Sequence, residues 1–474
     1  MSEQQKVSRR KFLYYGIGGA AVVAGGAAAA YYLMQPSYPT PEQDPLYYAQ
    51  WPYRPDIVLD NIHEFERQFA PEKVNQAVIA GDYATQIETK LIAGAKDIDT
   101  CYAAMSSAER WYEAGWIRNI EDMEPRKVGD VEVLYSWKDA KAALPEGVWK
   151  SICAVTDGKP LGLPYFQSTF GNILTNEKLL EAGGYADTKT KTSFYPKNYQ
   201  ELYEQCEAMQ KKGVAKSPLL KRWGSEVFQM PHVAQIESMA RGDPVFDKNM
   251  DPVFDVNTPY GEMLKDWQWL YEKEIVPRGV LNITEGDNIT WFETGEYAYT
   301  EQHTYDIFTF NDPALSKVAP YCSIVPPLTK NSPIGYLFCP VYVVTSKQQS
   351  DWRLARVHRL VQFFGFKDKN GTFYRHKAWM LLTGVGSPYP AVYEDPEVIE
   401  SMSKRVYRQE DITTMKKLIE AAWLPEYYKV AWIQEWFNDQ QTVLQQCVQK
   451  QITVEEAINK MRAKAIELKK KYTK

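Results

Sequence analysis

Between Leu46 and Gly115 short apolar runs alternate with amphipathic stretches, and this alternation restricts the possible folds more than any other feature of the chain. Leu46 to Trp51, Lys73 to Ala80 and Asp97 to Ala103 read as strands. Asn61 to Phe69, Ala84 to Ala93 and Ser106 to Ala114 read as helices, the last stopped by Gly115. A β-α-β-α-β order implies a largely parallel sheet with helices on both faces. Ligands of such sheets sit outside the carboxyl ends of the strands, at the switch point. That rule selects Trp51, Tyr53 and Arg54 after the first strand, Gly81, Asp82 and Tyr83 after the second, and Met105, Ser106 and Ser107 after the third. A second unit of the same type follows Leu163-Pro164-Tyr165, with a strand at Asn172 to Thr175 and a helix from Glu177 to Ala182 that ends at Gly183-Gly184. A long helix then runs from Tyr199 to Lys212 and stops at Gly213.

Ahead of this body lies an address. Phe12 to Met34 holds no charged side chain, and Lys6, Arg9, Arg10 and Lys11 precede it, so the basic end should stay cytoplasmic while the rest crosses. At about 1.5 Å per residue the run is long enough to span a bilayer once. Ser8-Arg9-Arg10-Lys11-Phe12-Leu13 resembles the signal of the twin-arginine export pathway, which implies an exported chain. Ala27 to Ala30 offers a cleavage site, so a cleaved signal and a retained membrane tether are both open. Four prolines between Gln35 and Pro45 make a spacer.

The remaining chain of about 440 residues suits two lobes better than one core. The formal charge of the whole chain is -5, and the first 34 residues carry four positive charges and one negative, so the body is more acidic still and a nucleic-acid partner is disfavoured. Its 14 Trp and 32 Tyr supply rings with a polar handle, as sugar stacking needs, although packing also uses such rings. Six scattered cysteines form no C-x-x-C pair. Asp247, Asn249 and Asp251 alternate as in a calcium loop, but Pro252 stands where glycine is needed and Thr258 where a bidentate acid belongs, so the segment reads as a turn. Five histidines show no metal or catalytic spacing, and no phosphate loop or nucleophile elbow occurs. The residues propose no cofactor and no catalytic constellation.

Several segments resemble the extracellular solute-binding proteins of ABC transporters, the class containing maltose-binding protein. They are I-E-T-K-L-I-A-G-A-K-D-I-D-T-C-Y-A through W-Y-E-A-G-W-I-R-N-I, G-K-P-L-G-L-P-Y at 158 to 165, and I-L-T-N-E-K-L-L-E-A-G-G. Phe292 to Tyr305, S-P-Y-P-A-V-Y near 387 to 393, and the tail near 450 to 461 continue the order. The resemblance departs at Ile98, Tyr299 and Tyr305, where the class usually has proline, methionine and tryptophan. It implies a two-lobed α/β fold of mostly parallel sheets flanked by helices and joined by a hinge, with lobe I formed by 46-164 plus 338-390 and lobe II by 165-337 plus 391-474. Residues 1-34 are then the signal or anchor and 35-45 the spacer.

The expected activity is capture of a small polar solute, with a sugar or oligosaccharide first, and its delivery to an ABC transporter permease. The aromatic candidates are Trp51, Tyr53, Tyr83, Tyr165, Tyr305 and Trp432; the polar ones are Arg54, Asp82, Gln167, Glu301 and Gln302. Trp223 and Trp379 are candidates by composition alone, and for His303 a plain surface role or a supporting role behind the site is expected in preference to contact with the solute. Arg54 keeps an anionic solute open. The competing expectation is an exported glycoside hydrolase with two acids in an aromatic cleft.

Overall fold

The computed structural model describes residues 39–472, apart from 42, 81–82, 225–228, 330–334 and 348–349. The arginine pair, the apolar run, Gly81 and Asp82 therefore lie outside the described residues.

Before the chain first changes lobes it forms β1 (Leu46–Gln50), β2 (Val74–Val78), β3 (Thr100–Ala103), β4 (Ile117–Arg118) and β5 (Gly162–Pro164). Then come β6 (Ser168–Phe170), β7 (Asn172–Asn176), β8 (Leu219–Leu220), β9 (Tyr299–Gln302) and β10 (Cys322–Ile324). The series closes with β11 (Gly335–Phe338), β12 (Val341–Thr345) and β13 (Ala422–Trp423).

The first sheet runs β2-β1-β3-β12-β4, with β5 also paired to β12. Helices α1 (Pro55–Gln68), α2 (Tyr83–Ile92) and α3 (Met105–Glu113) fall between its early strands, as the alternation requires. Helix α1 begins six residues before the expected Asn61, because Pro55 and Asp56 suit a first turn. Gly115 stands at φ 74°, the left-handed geometry that ends α3 without a Cβ clash. The pairing is mixed. Strand β1 runs parallel to β2 and β3, but β12 is antiparallel to β3, β4 and β5. The reason is topological: β12 enters from the other lobe and needs no crossover helix.

The second sheet runs β8-β9-β7-β10, with β8 and β9 parallel and β7 antiparallel to both its neighbours. Helices α4 (Met230–Ala240) and α5 (Pro259–Glu272) pack against each other and against the helix Ile433–Val448. A third sheet has three strands, β13-β11-β6, two of which adjoin strands of the larger sheets along the chain. The chain passes from β5 to β6 through 165–167 and from β11 to β12 through 339–340, where the Tyr165 N–H donates to the Pro340 carbonyl at 2.8 Å. Strand β13 is too short to show a period in the sequence. The calcium-like segment is a turn in which Asp247 Oδ1 accepts from the N–H groups of Asn249 and Asp251. All six cysteines are buried and free of disulfides.

Candidate functional site

At the carboxyl ends of β1 and β3 the first lobe presents rings. Tyr83, Tyr102 and Tyr165 stack in sequence, with centroids 4.8 Å apart at each step. Trp51 meets Tyr102 edge-on at 4.9 Å, and its main-chain N–H donates to the Tyr102 hydroxyl. Tyr83 and Tyr165 are buried, and the Tyr83 hydroxyl donates to the carbonyls of Tyr102 and Ala49, so these two rings form the floor of the site. Burial pushes the Tyr165 phenol up to about 12. On that floor stands Trp379, in the helix Tyr374–Thr383, 5.8 Å from Tyr165. Tyr53 stacks on the buried Trp379 at 5.9 Å and is itself 40% exposed, so Tyr53 is the open member of the pair.

The second lobe presents charge. Glu285 opens α6 (Glu285–Glu293), whose N-terminus is set by a capping box between Thr284 and Asp287. Its Oε1 lies 3.0 Å from Arg222 Nη2 and 3.4 Å from His303 Nε2. Against the desolvation of the cleft wall, Arg222 and His303 hold Glu285 well below the usual carboxylate range. Asp306, the first residue of α7 (Asp306–Phe310), is buried and pushed up to about 8 by burial and by the Glu285 charge. Its Oδ2 accepts from the His303 N–H at 3.2 Å. Burial and the Arg222 charge lower His303, and the Glu285 carboxylate opposes them.

Tyr305 joins the two walls. Its ring is half-buried, lies parallel to His303 at 4.9 Å, and takes the edge of Phe166 at 6.5 Å. Burial and the negative charges of Asp306 and Glu285 raise the Tyr53 phenol, so the exposed ring of the first lobe lies within electrostatic reach of the acids of the second. The structure thus sets the exposed Tyr53 and the half-exposed Glu285 near the half-buried Tyr305, with Trp379 and Asp306 buried behind them.

Other candidates lie elsewhere or play other parts. Arg54 holds Asp56 in an exposed ion pair of 2.7 Å. Gln167 is buried in the passage between lobes and donates to the Ile419 carbonyl at 3.0 Å. Glu301 is enclosed in β9 and paired with Lys221 at 2.6 Å, both side chains having no exposure, so it does not reach the opening. Gln302, also enclosed, donates to Asn288 and lies 3.4 Å from Arg222. Trp432 packs edge-on against Phe246, and Trp223 lies buried against Trp267. Sequence reading missed Arg222, Glu285, Asp306 and Phe166.

Two α/β lobes, a strand-built passage between them and an opening lined by rings and carboxylates define a binding protein of the periplasmic type. Residues 51–331, more than half of the chain, match the bacterial extracellular solute-binding protein family, and the chain belongs to that family. Solved structures agree on the fold. The maltose-bound MalE3 of T. maritima is 16% identical, with a TM-score of 0.69 over 89% of this chain and 99% of that one. A solute-binding protein of Agrobacterium vitis with D-mannitol bound is 16% identical, at 0.67 over 90% and 98%. The GacH receptor of Streptomyces glaucescens, solved unliganded and with acarbose, is 14% identical, at 0.67 over 90% and 100%. No curated protein matches the sequence.

Proposed function

We propose that the chain captures a polyhydroxylated solute, a sugar or oligosaccharide, between its lobes and delivers it to the permease of an ABC transporter. One observation carries the reading: the exposed Tyr53 ring, backed by the buried Trp379, and the half-buried Tyr305 ring lie in electrostatic reach of the half-exposed Glu285 carboxyl, with Asp306 buried behind it. Rings take the apolar face of a pyranose and carboxyls take its hydroxyls. The neighbours in fold with maltose, D-mannitol or acarbose bound support this class of solute. In this reading lobe I is 46-164 plus 338-390, lobe II is 165-337 plus 391-474, and export follows the twin-arginine route with the apolar run as signal or tether. Among the described residues no helix is long and apolar enough to cross a membrane.

A thermal-shift screen of the body against maltose, chitin oligosaccharides, D-mannitol, amino acids and organic anions tests the reading, since a ligand of the folded state raises Tm. Shifts from amino acids or anions alone would overturn it. A second reading has one observation in its favour: two carboxyls with pKa values driven apart, Asp306 up and Glu285 down, are the acid and base arrangement of a glycoside hydrolase. Release of shorter sugars from an oligosaccharide that binds would establish it.

A further inference from the structure

We infer that His303 is a positioning residue that ties the solute-stacking ring of Tyr305 to the strands joining the lobes. The inference rests on the proposed cleft but is drawn from contacts beneath it. His303 is 4% exposed, so it offers a solute almost no surface. It touches instead each part that matters. Its ring lies under Tyr305 at an interplanar angle of 8°. Its Nδ1 is 3.0 Å from Ser168 Oγ, and its Nε2 is 3.4 Å from Glu285 Oε1. Its main-chain N–H donates to Asp306. Phe170, from the same strand as Ser168, packs on the ring at 5.0 Å.

These contacts fix the tautomer. Glu285 is ionised and can only accept, so Nε2 carries the hydrogen and donates to it. Nδ1 then accepts from the Ser168 hydroxyl. Ser168 belongs to β6, where it pairs with Phe338 of β11, so the imidazole is held at one edge by the joining strands and at the other by the second lobe. The Ser168 hydroxyl also lies 3.1 Å from the Thr169 carbonyl. It therefore has two acceptors, one on the cleft wall and one in the joining strand, and a rotation of one bond exchanges them. A shift of β6 relative to the wall breaks or remakes the bond to His303, and with it the seating of the ring on which Tyr305 rests. Pressure of a solute on Tyr305 and movement of the joining strands are in this way coupled through one imidazole.

Two measurements test this. The first needs no ligand: nitrogen-15 NMR of the histidine rings at neutral pH should show His303 as the neutral Nε2–H form in the wild type, and Ser168→Ala should move its Nδ1 resonance. An Nδ1–H form, or a resonance indifferent to Ser168→Ala, would overturn the inference while leaving the sugar reading intact. The second uses maltose and D-mannitol as probes on His303→Phe, Ser168→Ala and the double variant. His303→Phe keeps a ring under Tyr305 and loses both side-chain bonds; a drop in affinity of tenfold or more is expected, with a similar direction for Ser168→Ala. The double variant should be no weaker than His303→Phe, because both remove one linkage. Fully additive losses, or affinities unchanged in both single variants whose ligand-free Tm is also unchanged, would sink the idea. If neither probe binds the wild type, the sugar reading suffers and the NMR result decides the linkage alone.

Discussion

The two walls of the cleft solve the same problem with different forces. The first lobe builds its wall from rings: Tyr83, Tyr102 and Tyr165 stack, Trp51 and Trp379 pack on them, and each ring gains from burial without any ionised partner nearby except Arg375, whose guanidinium lies 4.2 Å over Tyr165. The second lobe backs its wall with ions. Lys221 sits between Glu237 and Glu301 at 2.9 and 2.6 Å, all three side chains fully enclosed, and Arg222 and Glu285 continue the set to the surface. A stacked wall tolerates the loss of one member, since its neighbours can close the gap in part. A buried ionic wall does not, because removing one partner leaves an uncompensated charge. The first wall should therefore answer mutation mainly through binding and the second through stability.

The sharpest break in this contrast is Lys221→Met. It takes from Glu301 the cation it holds at 2.6 Å inside the fold, while Glu237 keeps Arg241 at 2.6 Å together with the Trp267 and Tyr203 donors, so the uncompensated charge falls on Glu301. A loss of about 3 to 5 kcal/mol is expected in chemical denaturation. Trp51→Phe, which keeps a ring in the stacked wall at a half-buried position, should cost about 1 kcal/mol. Equal losses would erase the distinction between the walls.

Binding is the next measure. Tyr53→Ala and Tyr305→Ala should each weaken capture of the solute by about 1 to 3 kcal/mol, the scale for burying a large apolar side chain. Ligand-free Tm should barely move for Tyr53, which is 40% exposed. The two losses should fail to add, since both rings meet one ligand. Titration calorimetry on the double variant checks this, and full additivity would place the rings on separate sites.

Asp306 supplies a pH test on the ionic side. The fold raises its carboxyl from an ordinary 3.8 to about 8, so between these values the folded chain holds a proton that the unfolded chain has released. Stability contributed at this site then falls as pH rises through that window and stays low above it. Asp306→Asn carries no such titration. Its Tm should match the wild type near pH 4 and exceed it by a margin that widens as pH rises to 9. A constant offset across the range would mean that Asp306 ionises normally.

The sequence discloses the two walls unequally, for physical reasons. Strands β1 to β3 and their helices announce themselves by period, and the strand-end rule then leads to Trp51 and Tyr53. Tyr305 follows from a local motif. Arg222 and Glu285 had no such signal, because β8 is two residues long and carries no measurable alternation. The enclosure of Glu301 was hidden for a related reason. A carboxylate near a strand end reads as a ligand contact, and its partner Lys221 is 80 residues away in the chain. The antiparallel entry of β12 was equally hidden, since its neighbours β3 and β5 are far off in sequence and pairing direction leaves no trace in composition.

The smallest expected effect concerns Arg54, the residue that kept an anionic solute in view. Its guanidinium grips Asp56 through Nε at 3.0 Å and Nη2 at 2.7 Å, and the two side chains are 45% and 62% exposed. An exposed pair of this kind contributes about 0 to 1 kcal/mol. To bind an anion Arg54 would have to give up a partner it already holds, for a gain of the same small size. Arg54→Ala should therefore leave affinity for a neutral sugar within about threefold, a change of well under 1 kcal/mol. The backbone adds a finer comparison. Arg54 sits at φ 45° and ψ 56°, a left-handed conformation that costs a residue with a Cβ about 1 kcal/mol. Arg54→Gly should accordingly be more stable than Arg54→Ala by about that amount, with the same affinity in both. A large affinity loss in both variants would return Arg54 to the site and turn the choice of solute toward an anion.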